Sequence, residues 1–211
     1  MRAAPALTAV AALALLCCCS PRPVPTRTDR VAIDVLSDPG QQPPAAAALP
    51  SVAADGYDFT ITPRADYIIG GIVVGRAGYS GDWNSLLSPC DVAIAWGKLV
   101  RTGLHRRLRW SQSGRWYFWR YGDDFPFDNA FIARYSSNNH VIPATANVRA
   151  AVRALAEGDT VELFGQLVDV DGRGGGRAVW WRTSTSRDDT GDGSCEVFYV
   201  RRIKRRGAVY E

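Results

Sequence analysis

The segment GDTVELFGQLVDVDGRGGGRAVWWRT, residues 158–183, carries a clear β-strand pattern. Two runs rich in β-branched and aromatic residues, Thr160–Val170 and Ala178–Thr183, flank the glycine-rich segment Gly172–Gly176. Runs of this kind, separated by a turn that glycine makes easy, are typical of consecutive strands. The stretch therefore places β-sheet at the centre of the predicted fold.

Further strand patterns lie on both sides of this stretch. An alternating run begins at Tyr57, and in the apolar run at residues 67–74 the pair Gly70-Gly71 predicts a bulge or a close backbone approach. Two aromatic runs around Ser113-Gly114 predict a hairpin. The same kind of pattern predicts strands at Ala130–Tyr135 and Glu196–Ile203.

One helix is predicted, at residues 145–156. Its apolar stripe has the spacing i, i+3, i+4 and i+7 and consists of Val148, Ala151, Val152 and Leu155. Thr145 or Asn147 can cap its start, and Gly158 follows its end. These elements together predict an α+β domain, mainly antiparallel sheet, with one amphipathic helix.

The segment GDTVELFG at residues 158–165 resembles the opening strand of small Greek-key barrels, a class that includes oligonucleotide-binding folds. The resemblance implies a partly closed small barrel. The formal net charge is +4, from 25 basic and 21 acidic residues. This mild excess does not demand a nucleic-acid partner, so none is expected.

The first residues have the pattern of an export signal. A basic start at Arg2 is followed by the apolar run Ala6–Leu16 and then by small residues. The apolar run is too short for a stable membrane-spanning helix. Residues 1–19 are therefore predicted to be a signal peptide.

The signal core ends in Leu15-Leu16-Cys17-Cys18-Cys19-Ser20, which resembles the lipobox of bacterial lipoproteins. In that family a cysteine is acylated and becomes the new N-terminus, usually after Gly, Ala or Ser. Here Leu16 precedes Cys17, so ordinary cleavage near Ser20 stays an alternative. The resemblance implies an exported lipoprotein of the cell envelope, anchored through Cys17, Cys18 or Cys19 and facing the periplasm or the cell surface.

Residues 20–56 are rich in proline and alanine and contain no aromatic residue. Such a segment buries little apolar surface, so we expect a flexible tether. All 7 Trp, 8 Tyr and 7 Phe of the chain lie within residues 57–211. That segment is predicted to be the β-rich globular domain.

Two polar segments are the candidate functional site. They are Ser136–His140, followed by Val141-Ile142-Pro143, and the late segment Arg182–Glu196; together they resemble uncharacterised exported bacterial domains with no known activity. Both segments are expected to follow strands, and loops at sheet ends are where sites are commonly built. We expect them to meet, with five ligand-binding residues: Asn138, Asn139, His140, Arg182 and Arg187.

An enzymatic alternative uses the same segments. His140 would be a general base paired with a carboxylate from Asp188, Asp189 or Asp192, as in a hydrolase. The spacing of Asp188 and Asp192 also partly fits the start of a calcium loop, but its twelfth position is Tyr199 instead of glutamate. No cofactor is therefore expected, with calcium near these two residues as a minor alternative.

Cys90 and Cys195 are the two cysteines that remain beyond the signal region. An even pair in an exported protein predicts a disulfide between them. The alternative is that Cys195 is a nucleophile with His140 as its base.

The sequence as a whole favours an envelope-anchored lipoprotein that acts as a non-enzymatic binding or structural module. Its expected partners are the membrane, through the lipid anchor, and either an envelope protein or an anionic ligand. An aromatic and arginine-rich hairpin at residues 108–119 is a further candidate surface, because aromatic faces stack on bases or sugars.

Overall fold

The computed structural model describes residues 21–186 and 195–211. Their strands, in chain order, are β1 (Arg27–Thr28), β2 (Gly40–Gln42), β3 (Val52–Ala54), β4 (Tyr57–Gly78), β5 (Cys90–Ala95), β6 (Arg109–Ser113), β7 (Trp116–Arg120), β8 (Ser136–Pro143), β9 (Thr160–Gly174), β10 (Arg177–Trp181), β11 (Glu196–Arg205) and β12 (Ala208–Tyr210). The helices are α1 (Trp83–Leu87), α2 (Gly97–Arg101), α3 (Asn129–Arg134) and α4 (Ala146–Arg153), with a 3₁₀ turn at Leu104–Arg106.

Five strands pair in a closed cycle. β4 pairs with β5, β5 with β8, β8 with β11, β11 with β9, and β9 returns to β4. All of these pairings are antiparallel except β8 with β11, which is parallel. The predicted α+β class, dominated by antiparallel sheet in a partly closed arrangement, is confirmed.

The long strand β4 bends so that it can serve several partners. Its pairing register shifts between Pro63 and Ala65, and again between Val73 and Gly75. Pro63 does not end this strand, because the proline sits at a bulge, where a missing donor is tolerated. At Gly71 a Cβ atom would lie 2.5 Å from the carbonyl oxygen of Ala95, so the predicted close approach of the backbones is confirmed.

The ring encloses the main hydrophobic core, and α4 packs on it. Val148, Val152 and Leu155 bury the stripe that the sequence predicts, and the Thr145 hydroxyl caps the helix by accepting a hydrogen bond from the Val148 amide. Two further clusters lie on the outer face of the ring. One packs beneath the β6–β7 hairpin and the other beneath β10 and α1.

Two local predictions are wrong, and both concern residues 130–143. The Ala130–Tyr135 run forms α3 instead of a strand, because the Asp128 carboxylate caps it by accepting from the Phe131 amide. The polar segment that starts at Ser136 forms the buried strand β8 instead of a loop. Its polar side chains tolerate burial because Ser136, Asn138 and Asn139 each make side-chain hydrogen bonds.

The described part of the Pro/Ala-rich segment lies along the sheet, which differs from the expected flexible tether. β1 pairs with β12, and both β2 and β3 pair with β4. The Gly97 amide also donates to the Val35 carbonyl, and Arg134 pairs with Asp38 at 3.0 Å. Open strand edges offer backbone groups that such a segment can satisfy, which is the physical reason for the docking.

The helices in the described parts of the chain are all too short or too polar to cross a bilayer.

Candidate functional site

A buried contact between a carboxylate and an imidazole joins two neighbouring strands of the ring. Asp91 of β5 stands opposite His140 of β8, and Nδ1 of His140 lies 3.0 Å from Oδ2 of Asp91. Asp91 has no exposed surface, and His140 is 3% exposed. A carboxylate without solvent contact needs charged or hydrogen-bonding partners, so this pair fixes the orientation of the imidazole ring.

Arg115, in the turn of the β6–β7 hairpin, is the second side chain that contacts Asp91. Its Nη1 donates to Oδ1 of Asp91 and to the Ser88 carbonyl, both at 2.9 Å. Gly114 and Arg115 both have positive φ, at 58° and 72°, as a two-residue hairpin turn requires. A left-handed residue with a side chain costs roughly 1–2 kcal/mol, so the bonds to Asp91 and Ser88 hold Arg115 in an unfavourable backbone conformation.

Asn138 fixes the same hairpin to the sheet. Its Oδ1 accepts from Nε2 of Gln112 at 2.8 Å, and its Nδ2 donates to the Arg115 carbonyl at 2.9 Å. Asn138 is 1% exposed. Its side chain therefore positions the hairpin over His140, and its contact with a ligand stays a prediction.

Aromatic rings enclose the charged groups. The Trp181 ring lies 4.7 Å from the His140 ring, and the Arg115 guanidinium lies 5.5 Å from the Trp181 centroid and 4.1 Å from that of Tyr79. Burial, together with the negative charge of Asp91, raises the pKa of the Tyr79 hydroxyl. The site is thus a low-polarity enclosure around one guanidinium, one carboxylate and one imidazole.

A cavity of about 370 Å³ opens above this network, between the β6–β7 turn and the end of β10. Its lining combines three tryptophans, two arginines, a histidine and a cysteine: Trp116, Trp180, Trp181, Arg115, Arg182, His140 and Cys195. Trp180 is 67% exposed and Trp116 37% exposed, so both indoles are open to solvent. We call this space the His140 cavity.

Arg182 also lines the His140 cavity, and two neighbouring groups of the protein hold its guanidinium. Its Nη1 donates to the Val170 carbonyl at 2.8 Å, and its Nη2 contacts the carboxylate of Asp171. About half of each of these two side chains is exposed. A pair in that setting contributes only about 0–1 kcal/mol, so a second carboxylate can compete for the guanidinium.

Cys195 reaches the His140 cavity from the start of β11, which runs parallel to β8 with Val197 opposite His140. The predicted disulfide to Cys90 is not formed. Cys90 is 1% exposed in the core that the ring encloses, whereas Cys195 lines a cavity outside the ring. The sheet separates the two side chains, and burial raises the pKa of the Cys90 thiol.

The structure brings together three of the residues that the sequence singles out, namely His140, Arg182 and Cys195. It does not place Asn139 at the cavity, because its Nδ2 donates to the Val92 carbonyl and to the Ser137 hydroxyl within the sheet. The remaining predicted site residues lie outside the described residues: Arg187, Asp188, Asp189 and Asp192. Among the described residues, no cluster of three or more His, Cys, Asp or Glu side chains is placed to hold a metal ion.

Sequence reasoning missed Asp91 and the position of Trp181, and it placed Arg115 on a candidate hairpin surface without its contact to Asp91. Asp91 carries a usable signal, because it is the charged residue in the otherwise apolar run Cys90–Ala95. A buried strand tolerates a carboxylate only when a partner satisfies it. Arg115 follows Gly114 in a tight turn, but nothing local indicates that its side chain reaches back to another strand.

The chain matches no protein-family model, no curated protein and no solved structure.

Proposed function

We propose that this chain is an envelope-anchored binding module whose His140 cavity holds a small ligand that carries a ring and a carboxylate. The observation that supports it best is the convergence of Trp116, Trp180 and Trp181 with Arg182 on one cavity. Indole faces stack on flat or sugar rings, and a guanidinium fork binds a carboxylate through two parallel hydrogen bonds.

The two arginines have different roles because their carboxylate partners differ in burial. Arg115 is committed to Asp91, whose side chain is fully buried, so breaking that pair would leave an uncompensated charge. Arg182 is paired with the exposed carboxylate of Asp171, which solvent can replace. Arg182 is therefore the arginine that exchanges its protein partner for a ligand carboxylate.

Isothermal titration calorimetry with matched probes tests the binding. We expect benzoate to bind more tightly than benzyl alcohol, and glucuronate more tightly than glucose, by about fivefold each, the affinity change that roughly 1 kcal/mol of exposed charge pairing produces. Arg182→Gln should remove this preference. Arg177→Gln is the matched control, because Arg177 begins β10, the strand that Arg182 follows, but lines a different cavity.

The aromatic wall is tested with a second pair of variants. Trp180→Ala should weaken binding of every ring-bearing probe, because it removes an exposed indole from the cavity wall. Phe118→Ala is the control, since Phe118 is an exposed aromatic side chain of β7 that does not line the cavity. Equal loss in both variants would contradict the proposed location of the site.

The anchoring part of the proposal rests on the sequence of residues 1–19, which lie outside the described residues. Metabolic labelling with an alkyne fatty acid should label the wild-type chain. Replacing Cys17, Cys18 and Cys19 together by serine should abolish the label. An unlabelled wild-type chain, released in soluble form, would contradict the anchor and leave the binding proposal intact.

A further inference from the structure

Cys195 and His140 occupy one cavity, and a carboxylate stands behind the histidine. His140 is 97% buried, with Asp91 3.0 Å from its Nδ1. With Nδ1 facing Asp91, the other ring nitrogen, Nε2, is the one that can exchange a proton with a group in the cavity. The thiol and the imidazole line one cavity and the carboxylate lies against the imidazole, so the three groups that together activate a cysteine nucleophile are present here.

We propose that Cys195 is a nucleophilic thiol activated by His140, and that the His140 cavity cleaves carboxylic esters or thioesters through an acyl-Cys195 intermediate. This inference rests on the proposed function, because it assumes that the ligand enters the same cavity. Cys195 and His140 are the catalytic residues, and Asp91 is a positioning residue that acts through His140.

The reaction balances with water as the second substrate. The Cys195 thiol gives its proton to Nε2 of His140, Sγ bonds to the acyl carbon, and the alcohol or thiol leaves with that proton. Water then attacks the thioester while His140 takes one of its protons. The bond between carbon and sulfur breaks, the proton returns to Sγ, and a carboxylic acid is released.

The substrate class follows from the lining. The tryptophans favour a ring on the leaving group or on the acyl group, and Arg182 favours a carboxylate elsewhere in the molecule. The charged groups that face or adjoin the thiol and imidazole are Asp91 from β5, Arg115 from the hairpin turn, Arg182 after β10 and Glu196, the first residue of β11. Among these, Arg115 and Arg182 favour the thiolate electrostatically.

Site-resolved alkylation of the full chain tests the activated thiol. Iodoacetamide labelling is followed peptide by peptide with mass spectrometry, so that Cys195 and Cys90 are measured separately. An unactivated thiol has a pKa of about 8.5, and its alkylation rate falls tenfold for each pH unit below that value. We expect the Cys195 rate to stay level from pH 8 to pH 6.5 instead.

A variant assigns this behaviour to His140. His140→Gln should restore the tenfold fall per pH unit at Cys195. Cys90→Ser should leave the Cys195 profile unchanged. If His140→Gln does not fold, the wild-type profile decides alone: a tenfold fall per unit below pH 8.5 would overturn the proposal.

The acyl transfer is measured with p-nitrophenyl acetate. We expect a burst of p-nitrophenolate and an acetylated Cys195 peptide, both absent in Cys195→Ser and at least about 100-fold slower in His140→Gln, as loss of a general base implies. An activated thiol that is never acetylated would overturn the acyl-transfer step.

A further arm separates failure here from failure of the binding proposal. Iodoacetate should outpace iodoacetamide at Cys195, and Arg182→Gln should remove that advantage by slowing iodoacetate more than it slows iodoacetamide. Loss of the charge preference alone contradicts the ligand class, whereas loss of the pH plateau alone contradicts the nucleophile.

Discussion

Two cavities of this molecule have the same volume, and each is lined by a nearly buried histidine, yet their surroundings differ. The His140 cavity and the cavity lined by His105 each measure about 370 Å³. His105 is 7% exposed, and its Nδ1 lies 3.3 Å from the Leu99 carbonyl, whereas Nδ1 of His140 faces a buried carboxylate that a guanidinium also contacts.

The comparison shows that cavity size and a histidine do not by themselves make a site. His105 is explained by local structure, because its ring packs near the 3₁₀ turn and its own carbonyl accepts from the Trp110 indole at 3.0 Å. The Asp91, Arg115 and His140 network instead joins two strands and a hairpin. Buried charges cost stability unless they are compensated, so such a network over an open cavity is the feature that indicates function.

The largest expected effect is at Asp91. Asp91→Ala leaves the Arg115 guanidinium and the His140 ring without their shared buried partner, so the free energy of unfolding should fall by about 3–5 kcal/mol. Asp171→Ala is the control, because it removes the exposed partner of Arg182 and should cost less than about 1 kcal/mol. Urea titration measures the free energy of unfolding of both variants. Equal losses would mean that the buried network stabilises the fold no more than the exposed pair does.

Next in size is the hairpin turn. Arg115→Ala should lower the free energy of unfolding by about 1.5–3 kcal/mol, the value of a hydrogen bond to a charged group. Arg115→Gly loses the same bonds but adopts φ near 72° without strain, so it should be about 1 kcal/mol more stable than the alanine variant. An alanine variant as stable as the glycine variant would show that this backbone position carries no strain.

A smaller effect is expected at His105, and it depends on pH. Burial lowers the pKa of His105 below its ordinary value of 6.5. Below pH 6.5 the unfolded chain therefore binds a proton that the folded chain does not, and the free energy of unfolding falls as the pH falls from 7 to 5. In His105→Gln the free energy of unfolding should fall less between pH 7 and pH 5 than in the wild-type chain. An unchanged pH dependence would show that His105 does not cause the fall.

Local patterns in the sequence predicted the parts of this fold that depend on neighbouring residues. The cap of α4 at Thr145 and the hairpin around Gly114 are confirmed, because side-chain capping and turn geometry act over a few positions. The helix α3 was missed because Ala130–Tyr135 is a short apolar run, for which periodicity does not separate helix from strand.

The site was predicted only in part, because some of its contacts are not encoded by neighbouring residues. His140, Arg182 and Cys195 were expected to meet, and they line one cavity. Asp91 could not be identified as the partner of His140, because that contact depends on the register between β5 and β8. Strands far apart in sequence are paired by closure of the whole ring, and no local pattern encodes that register.

We expect ligand to bind in the His140 cavity and not in the equally large cavity at His105. The seven tryptophan indole N–H signals test it in one NMR titration of the full chain with benzoate. We expect the Trp116, Trp180 and Trp181 signals to shift together with one affinity, while Trp96 and Trp119 stay in place. A shift confined to Trp110, which lines the His105 cavity, or an unchanged spectrum, would contradict the account.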